Sequence, residues 1–205
     1  MDLSVLDLFI LRQLDSGLRT PYDLQTQTGM SLGASVPALE RLKKKALVRR
    51  EDERRGGKRL RHCYALTDEG AEHARRGWKP YLSAPSTPKD LESILRLVDI
   101  ALHYRSKHAE VTHFLERAAA QRRAMAEEVG ARNFRLPSLS PLSYRSARMV
   151  CEEVRLRAEA DALANLAKAS SAAARQRGIR GSRPVEPQPG QAMLIECVDS
   201  LDQKG

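Results

Sequence analysis

The chain has 205 residues, of which 41% are hydrophobic and 30% charged; this is enough apolar sequence for a folded core and too polar for a bundle of membrane spans. Only 4% are aromatic, so the core must be built from Leu, Ala, Val and Ile, which suits helices. The formal net charge is +9, and residues 41–61 carry eleven Lys and Arg against three acids, a local +8 that points to a polyanionic partner.

Residues 3–14 read as a helix, with Leu3, Leu6, Ile10 and Leu14 on one face and Phe9 beside them. Ser16-Gly17 stops it. Thr20 is a cap and Pro21 a first helical residue for a short helix through Thr28, anchored by Leu24 and ended by Gly29. A third helix is predicted over 33–46. Its core face holds Val36, Leu39, Leu42, Ala46 and Leu47; Ala34, Pro37, Ala38, Arg41, Lys44 and Lys45 fall opposite. Pro37 is placed in about the first turn, where its missing N–H does least harm. Strands are predicted over 48–53 and 60–66, the second with Leu60, His62, Tyr64 and Leu66 alternating with Arg61, Cys63 and Ala65. Between them Arg54-Arg55-Gly56-Gly57-Lys58 is a turn, and after them Thr67 caps a short helix toward Arg76.

Residues 80–88 have the composition of a linker. A helical stripe follows over 89–129 (Leu91, Ile94, Leu95, Val98, Leu102, Leu115, Ala119, Met125 and Val129), weak over 104–110, which splits it into two helices. Gly130 is the expected stop, 131–141 a loop, and 142–177 a last helix through Met149, Val150, Val154, Ala158, Ala162 and Leu166. Residues 178–205 read as a disordered tail, Gly/Pro/Arg-rich at first, with an unassigned apolar patch at 191–198. The expected organisation is a mostly α chain: a DNA-binding unit over 1–79, a linker over 80–88, and a helical dimerisation and effector region over 89–177.

Three helices followed by a hairpin with a basic turn is the order of a winged helix-turn-helix. One helix fits the major groove of a duplex. On the third helix Ala34, Pro37 and Ala38 permit close approach, Arg41 is the candidate for base edges, and Lys44 and Lys45 for phosphates. Arg54, Arg55, Lys58 and Arg59 of the turn extend the phosphate contacts. The runs Thr20-Pro21-Tyr22-Asp23-Leu24, Gly33-Ala34-Ser35-Val36-Pro37-Ala38-Leu39-Glu40-Arg41-Leu42, Leu47-Val48 and Tyr64-Ala65-Leu66-Thr67-Asp68-Glu69-Gly70 resemble the PadR-like transcriptional regulators over about residues 3–76. One departure is Val36, where the family usually has Tyr before the proline. The resemblance implies a repressor that dimerises through its C-terminal helices, with a small-molecule effector in some members.

Dimerisation is also expected from surplus apolar surface. A lone helical hairpin cannot bury both sides of Leu91, Ile94, Leu95, Val98 and Leu102 together with Val150 and Val154. A compact intramolecular bundle is the alternative. Cys63, Cys151 and Cys197 are an odd, widely spaced set that fits a reducing compartment, and the start lacks a signal-peptide pattern, so the expected location is the cytoplasm. His103, His108 and His113 are five residues apart and cannot share a helix face, so no metal site is expected. Gly56-Gly57-Lys58 lacks the rest of a phosphate-binding loop. Tyr64 is expected in the core, and Trp78 as packing between the two parts or the wall of an effector pocket. No cofactor and no catalytic constellation is expected. Two other functions compete: a DNA-binding accessory factor of a plasmid or mobile element without effector, and a winged-helix adaptor that docks an acidic protein.

Overall fold

A computed structural model describes the backbone of residues 3–55, 59–134 and 143–181, and their side chains except those of 52–61, 133–134 and 176–181. Helix α1 (Val5–Asp15) starts with a reciprocal cap: Asp7 N–H donates to Ser4 Oγ at 3.1 Å and Ser4 N–H to Asp7 Oδ2 at 3.2 Å. It is buried nearly all round, through Val5, Leu8, Phe9, Ile10, Leu11 and Leu14, because other elements pack on several of its sides. Leu6, expected inside, is only half-buried. Helix α2 (Pro21–Thr28) repeats the cap with Thr20 and Asp23, and ends at Gly29 with φ 71°, a left-handed stop that glycine adopts freely. Leu24 is its buried anchor, as expected.

Helix α3 (Leu32–Lys44) begins one residue earlier than predicted, on Ser31, whose Oγ accepts from Ala34 N–H at 3.3 Å. Pro37 therefore lies in the second turn, and the Gly33 carbonyl loses its helical donor. The helix ends through Lys45 and Ala46; Ala46 has φ 57° and is exposed, so it does not join the core face predicted for it. Strands β1 (Val48–Arg55) and β2 (Arg59–Leu66) pair antiparallel, from Val48 opposite Leu66 to Arg55 opposite Arg59. Tyr64 and Cys63 are both buried, and Leu66 is partly so. Helix α4 (Asp68–Arg76) starts on Thr67.

The segment predicted as a linker contains a short helix, α5 (Lys79–Ser83), and is fastened beyond it. Arg117 donates to the carbonyls of Leu82 and Ala84, and Gln121 Oε1 accepts from Thr87 N–H at 3.1 Å. Helices α6 (Leu91–His103) and α7 (His108–Phe134) split where the apolar stripe weakens, at Tyr104 and Arg105. Gly130 does not stop α7; the helix runs on, and a side chain at 130 would meet the Glu153 carboxylate at about 3 Å. Helix α8 (Tyr144–Gly181) lies antiparallel on α7, with Arg122 Nε 3.0 Å from Glu159 Oε2 and His108 beside Ser170. One continuous core joins α1, α3, α4, α6 and α7 and takes in Leu163 and Ala167 of α8. The architecture is a mostly helical chain: a three-helix winged helix with a two-stranded wing, then long helices.

Candidate nucleic-acid interface

Helix α3 packs on the core through Ser35, Ala38, Leu39 and Leu42, all fully or almost fully buried. Ser35 and Ala38 are the small residues of this buried side. The outward face is thus centred on Gly33, Val36, Pro37, Glu40 and Lys44, rotated by roughly 80° from the predicted one. Two expectations fail. Ala38 cannot line a nucleic-acid surface, being 0% exposed, and Val36 is 41% exposed instead of inside. Ala34 is half-buried against the core.

Arg41 remains half-exposed, but its guanidinium is engaged. One of its nitrogens lies 2.9 Å from Asp7 Oδ1, a carboxylate buried at the start of α1. This pair ties α3 to α1 and draws Arg41 to the flank of the exposed face. Lys44 stands at the centre of that face and Lys43 at its edge; Lys43 Nζ lies 3.2 Å from Glu40 Oε2. The hydrogen bond from Lys43 first, then one from the Tyr64 hydroxyl at 3.1 Å, hold the Glu40 carboxyl below the usual carboxylate range. Lys45 is half-buried at the helix end.

The wing carries further positive charge. Arg49 is exposed and lies 2.8 Å from Glu51 Oε1, while Arg50 bonds the His62 ring across the sheet. The side chains of Arg54, Arg55 and Arg59, and the whole of Lys58, lie outside the described residues. Sequence reading missed the apolar component of this surface: Tyr22 on α2 and Leu32 and Val36 on α3 are 69%, 44% and 41% exposed. Ser31 marks where α3 begins, but Val36 faces outward because Ser35, Ala38, Leu39 and Leu42 form the buried side.

The expected dimerisation stripe divides. Ile94 is 1% exposed and belongs to the core with Leu97, Ile100 and Ala101, so it is not available to a partner. Leu95 and Leu102 are exposed and Leu91 and Val98 half-buried, on a separate ridge of α6 with spacings of four, three and four. Val150 and Val154 are exposed on the outer side of α8, at 46% and 60%. Among the described residues no group of His, Cys, Asp and Glu is arranged to hold a metal, and no helix is long and apolar enough to cross a membrane.

No family model matches the chain, and no curated protein does. Among the similar solved structures are two bacterial proteins. Bacillus subtilis PadR in complex with operator DNA is 19% identical over 82% of this chain and 99% of that chain, with a TM-score of 0.39. The smu.1604c protein of Streptococcus mutans UA159 is 12% identical over 78% of this chain and 96% of that chain, with a TM-score of 0.32.

Proposed function

We propose that this chain is a PadR-like, sequence-specific DNA-binding transcriptional regulator, acting as a homodimeric repressor on a palindromic site and without enzymatic activity. The observation that carries the reading is the outer face of α3. It is largely exposed, small at Gly33 and Pro37, apolar at Val36 and cationic at Lys44, with Lys43 paired to Glu40 within the same face, beside a basic hairpin. A helix of this kind fits the major groove, where Val36 would meet thymine methyls and the lysines phosphates. A small-molecule effector and a cytoplasmic location accord with the reading.

Arg41, the sequence-based choice for base readout, is reassigned to holding α3 against α1 through Asp7. Lys44 takes its place at the centre of the contact surface. Selection from a random duplex pool, followed by binding titrations at several salt concentrations, tests this. An enriched, two-fold symmetric sequence is expected. Lys44→Gln should weaken binding to every duplex and reduce the salt slope by about one unit. Arg41→Ala should lower the melting temperature and act on DNA only through that loss. Failure to enrich any sequence would remove the regulator reading.

A further inference from the structure

A cavity of about 890 Å³ lies between the end of α4, α5 and the α6–α7 corner. Its size suits a small organic ligand. Six of its lining residues are cations, Arg75, Arg76, Lys79, Arg105, Lys107 and Arg117, against one carboxylate, Glu110, which accepts from Ser106 Oγ at 2.9 Å. Arg76 pairs with Glu72 and Arg117 is committed to two carbonyls. Among the described residues, Arg75, Lys79, Arg105 and Lys107 have no carboxylate within 4.0 Å, the distance at which an ion pair is counted. Cations are brought together here without the acids that would neutralise them.

One wall is apolar and aromatic. The Trp78 and Tyr104 rings lie nearly parallel, 9° apart in plane and 6.5 Å between centroids, with Leu82 also lining the cavity. Both rings are fixed: Trp78 Nε1 donates to Arg75 O at 2.9 Å and the Tyr104 hydroxyl to Asp15 Oδ2 at 2.8 Å. Arg105, one of the lining residues, is exposed and held at φ 55°, a conformation costly for a residue with a side chain. The cavity also stands apart from α3. Tyr104 anchors to Asp15 and Arg41 to Asp7, eight residues apart on α1, or roughly 12 Å along the helix axis.

We propose that this cavity binds a phosphorylated aromatic metabolite of nucleotide size. A single carboxylate would engage one cation and leave the rest facing one another. A phosphate or diphosphate offers enough acceptor oxygens and charge for several, and arginine matches its geometry. Tyr104, only partly buried, offers its ring to the aromatic part, backed by the buried Trp78 and Leu82. The site does not rest on DNA binding, and the two are measured separately.

Trp78 is the only tryptophan of the chain and reports on the cavity. Full-length protein is titrated with ADP, UDP, AMP, adenosine, inorganic phosphate and benzoate while tryptophan fluorescence is followed. A nucleotide should give a saturable change, with adenosine, phosphate and benzoate each at least about tenfold weaker. Arg105→Gly suits the left-handed backbone and removes the side chain with its charge; it and Lys107→Gln should each weaken the nucleotide about tenfold with the melting temperature held. Three results overturn the site: no saturable change up to millimolar nucleotide, benzoate binding as tightly as nucleotide, or variants that bind unchanged. A short duplex that displaces the nucleotide, and itself loses affinity in both variants, would instead assign these cations to DNA.

Discussion

Thr67 and Gly70 explain why a short run of residues near the middle of the chain is so constrained. The Thr67 hydroxyl donates to Ala46 O at 2.8 Å, its N–H donates to Leu47 O at 3.1 Å, and its Oγ accepts from Gly70 N–H. Two residues thus close the end of α3, the end of the wing and the start of α4 on one another. A Cβ at Gly70 would stand 1.9 Å from the Leu47 carbonyl oxygen. In an open helix alanine is better than glycine by about 1 kcal/mol. Here the overlap is with backbone, which cannot rotate away, so Gly70→Ala should lose roughly 1–3 kcal/mol net. Chemical denaturation measures it, and a stabilised variant would contradict the packing. Thr67 and Tyr64 were legible in sequence as a cap and a core residue. The need for glycine at 70 was not, because it arises from a carbonyl more than twenty residues earlier.

At the scale of elements, several helix boundaries set by local chemistry were readable: Thr20-Pro21, Gly29 and Thr67 each act where capping rules place them, whereas the Ser31 cap of α3 was missed and Gly130 does not stop α7. The misreadings of which face is buried come from tertiary contacts. Of the small residues of α3 that the sequence suggests for close approach to DNA, Ala34, Pro37 and Ala38, Ala38 is wholly buried in the core and Ala34 packs partly against it. Ile94 was grouped with Leu91, Leu95, Val98 and Leu102, although α6 has two apolar faces and Ile94 sits on the one facing the core. Charge inside a helix pair is equally invisible to periodicity. Arg122, 2% exposed, is held by Glu159, which also takes an ion pair from Arg155. Glu159→Leu leaves a guanidinium buried and should cost about 3–5 kcal/mol. Adding Arg122→Met should restore most of it. If the double variant is no more stable than Glu159→Leu alone, the pair is not the source of the loss.

For the whole molecule, the exposed apolar positions of α6 and α8, Leu95, Leu102, Val150 and Val154, are the grounds on which a homodimer is proposed. Leu91, Leu95, Val98 and Leu102 follow the spacing of a helix-packing seam, and a seam of this kind left in water favours self-association. Sedimentation of the full chain at micromolar concentration should give a dimer. Leu95→Lys with Leu102→Lys, both at exposed positions, should give a folded monomer that loses affinity for a two-fold symmetric duplex. A monomeric parent protein would rule the proposal out.

The shared core also has a thermal consequence. The winged helix and the helices that follow it meet through Arg12 with Asp99 at 3.3 Å, Arg96 over the Phe9 ring, Tyr104 with Asp15 and, from α5, Tyr81 with the Leu3 carbonyl. Ile94, Leu97 and Ile100 lie in the same cluster as Phe9 and Ile10. Neither half can therefore melt without stripping apolar surface from the other. A scanning calorimeter should record one endotherm, with calorimetric and van't Hoff enthalpies close to equal. A fragment cut near residue 80 should show no endotherm of its own, since the helix at its centre would face water where α6 had been.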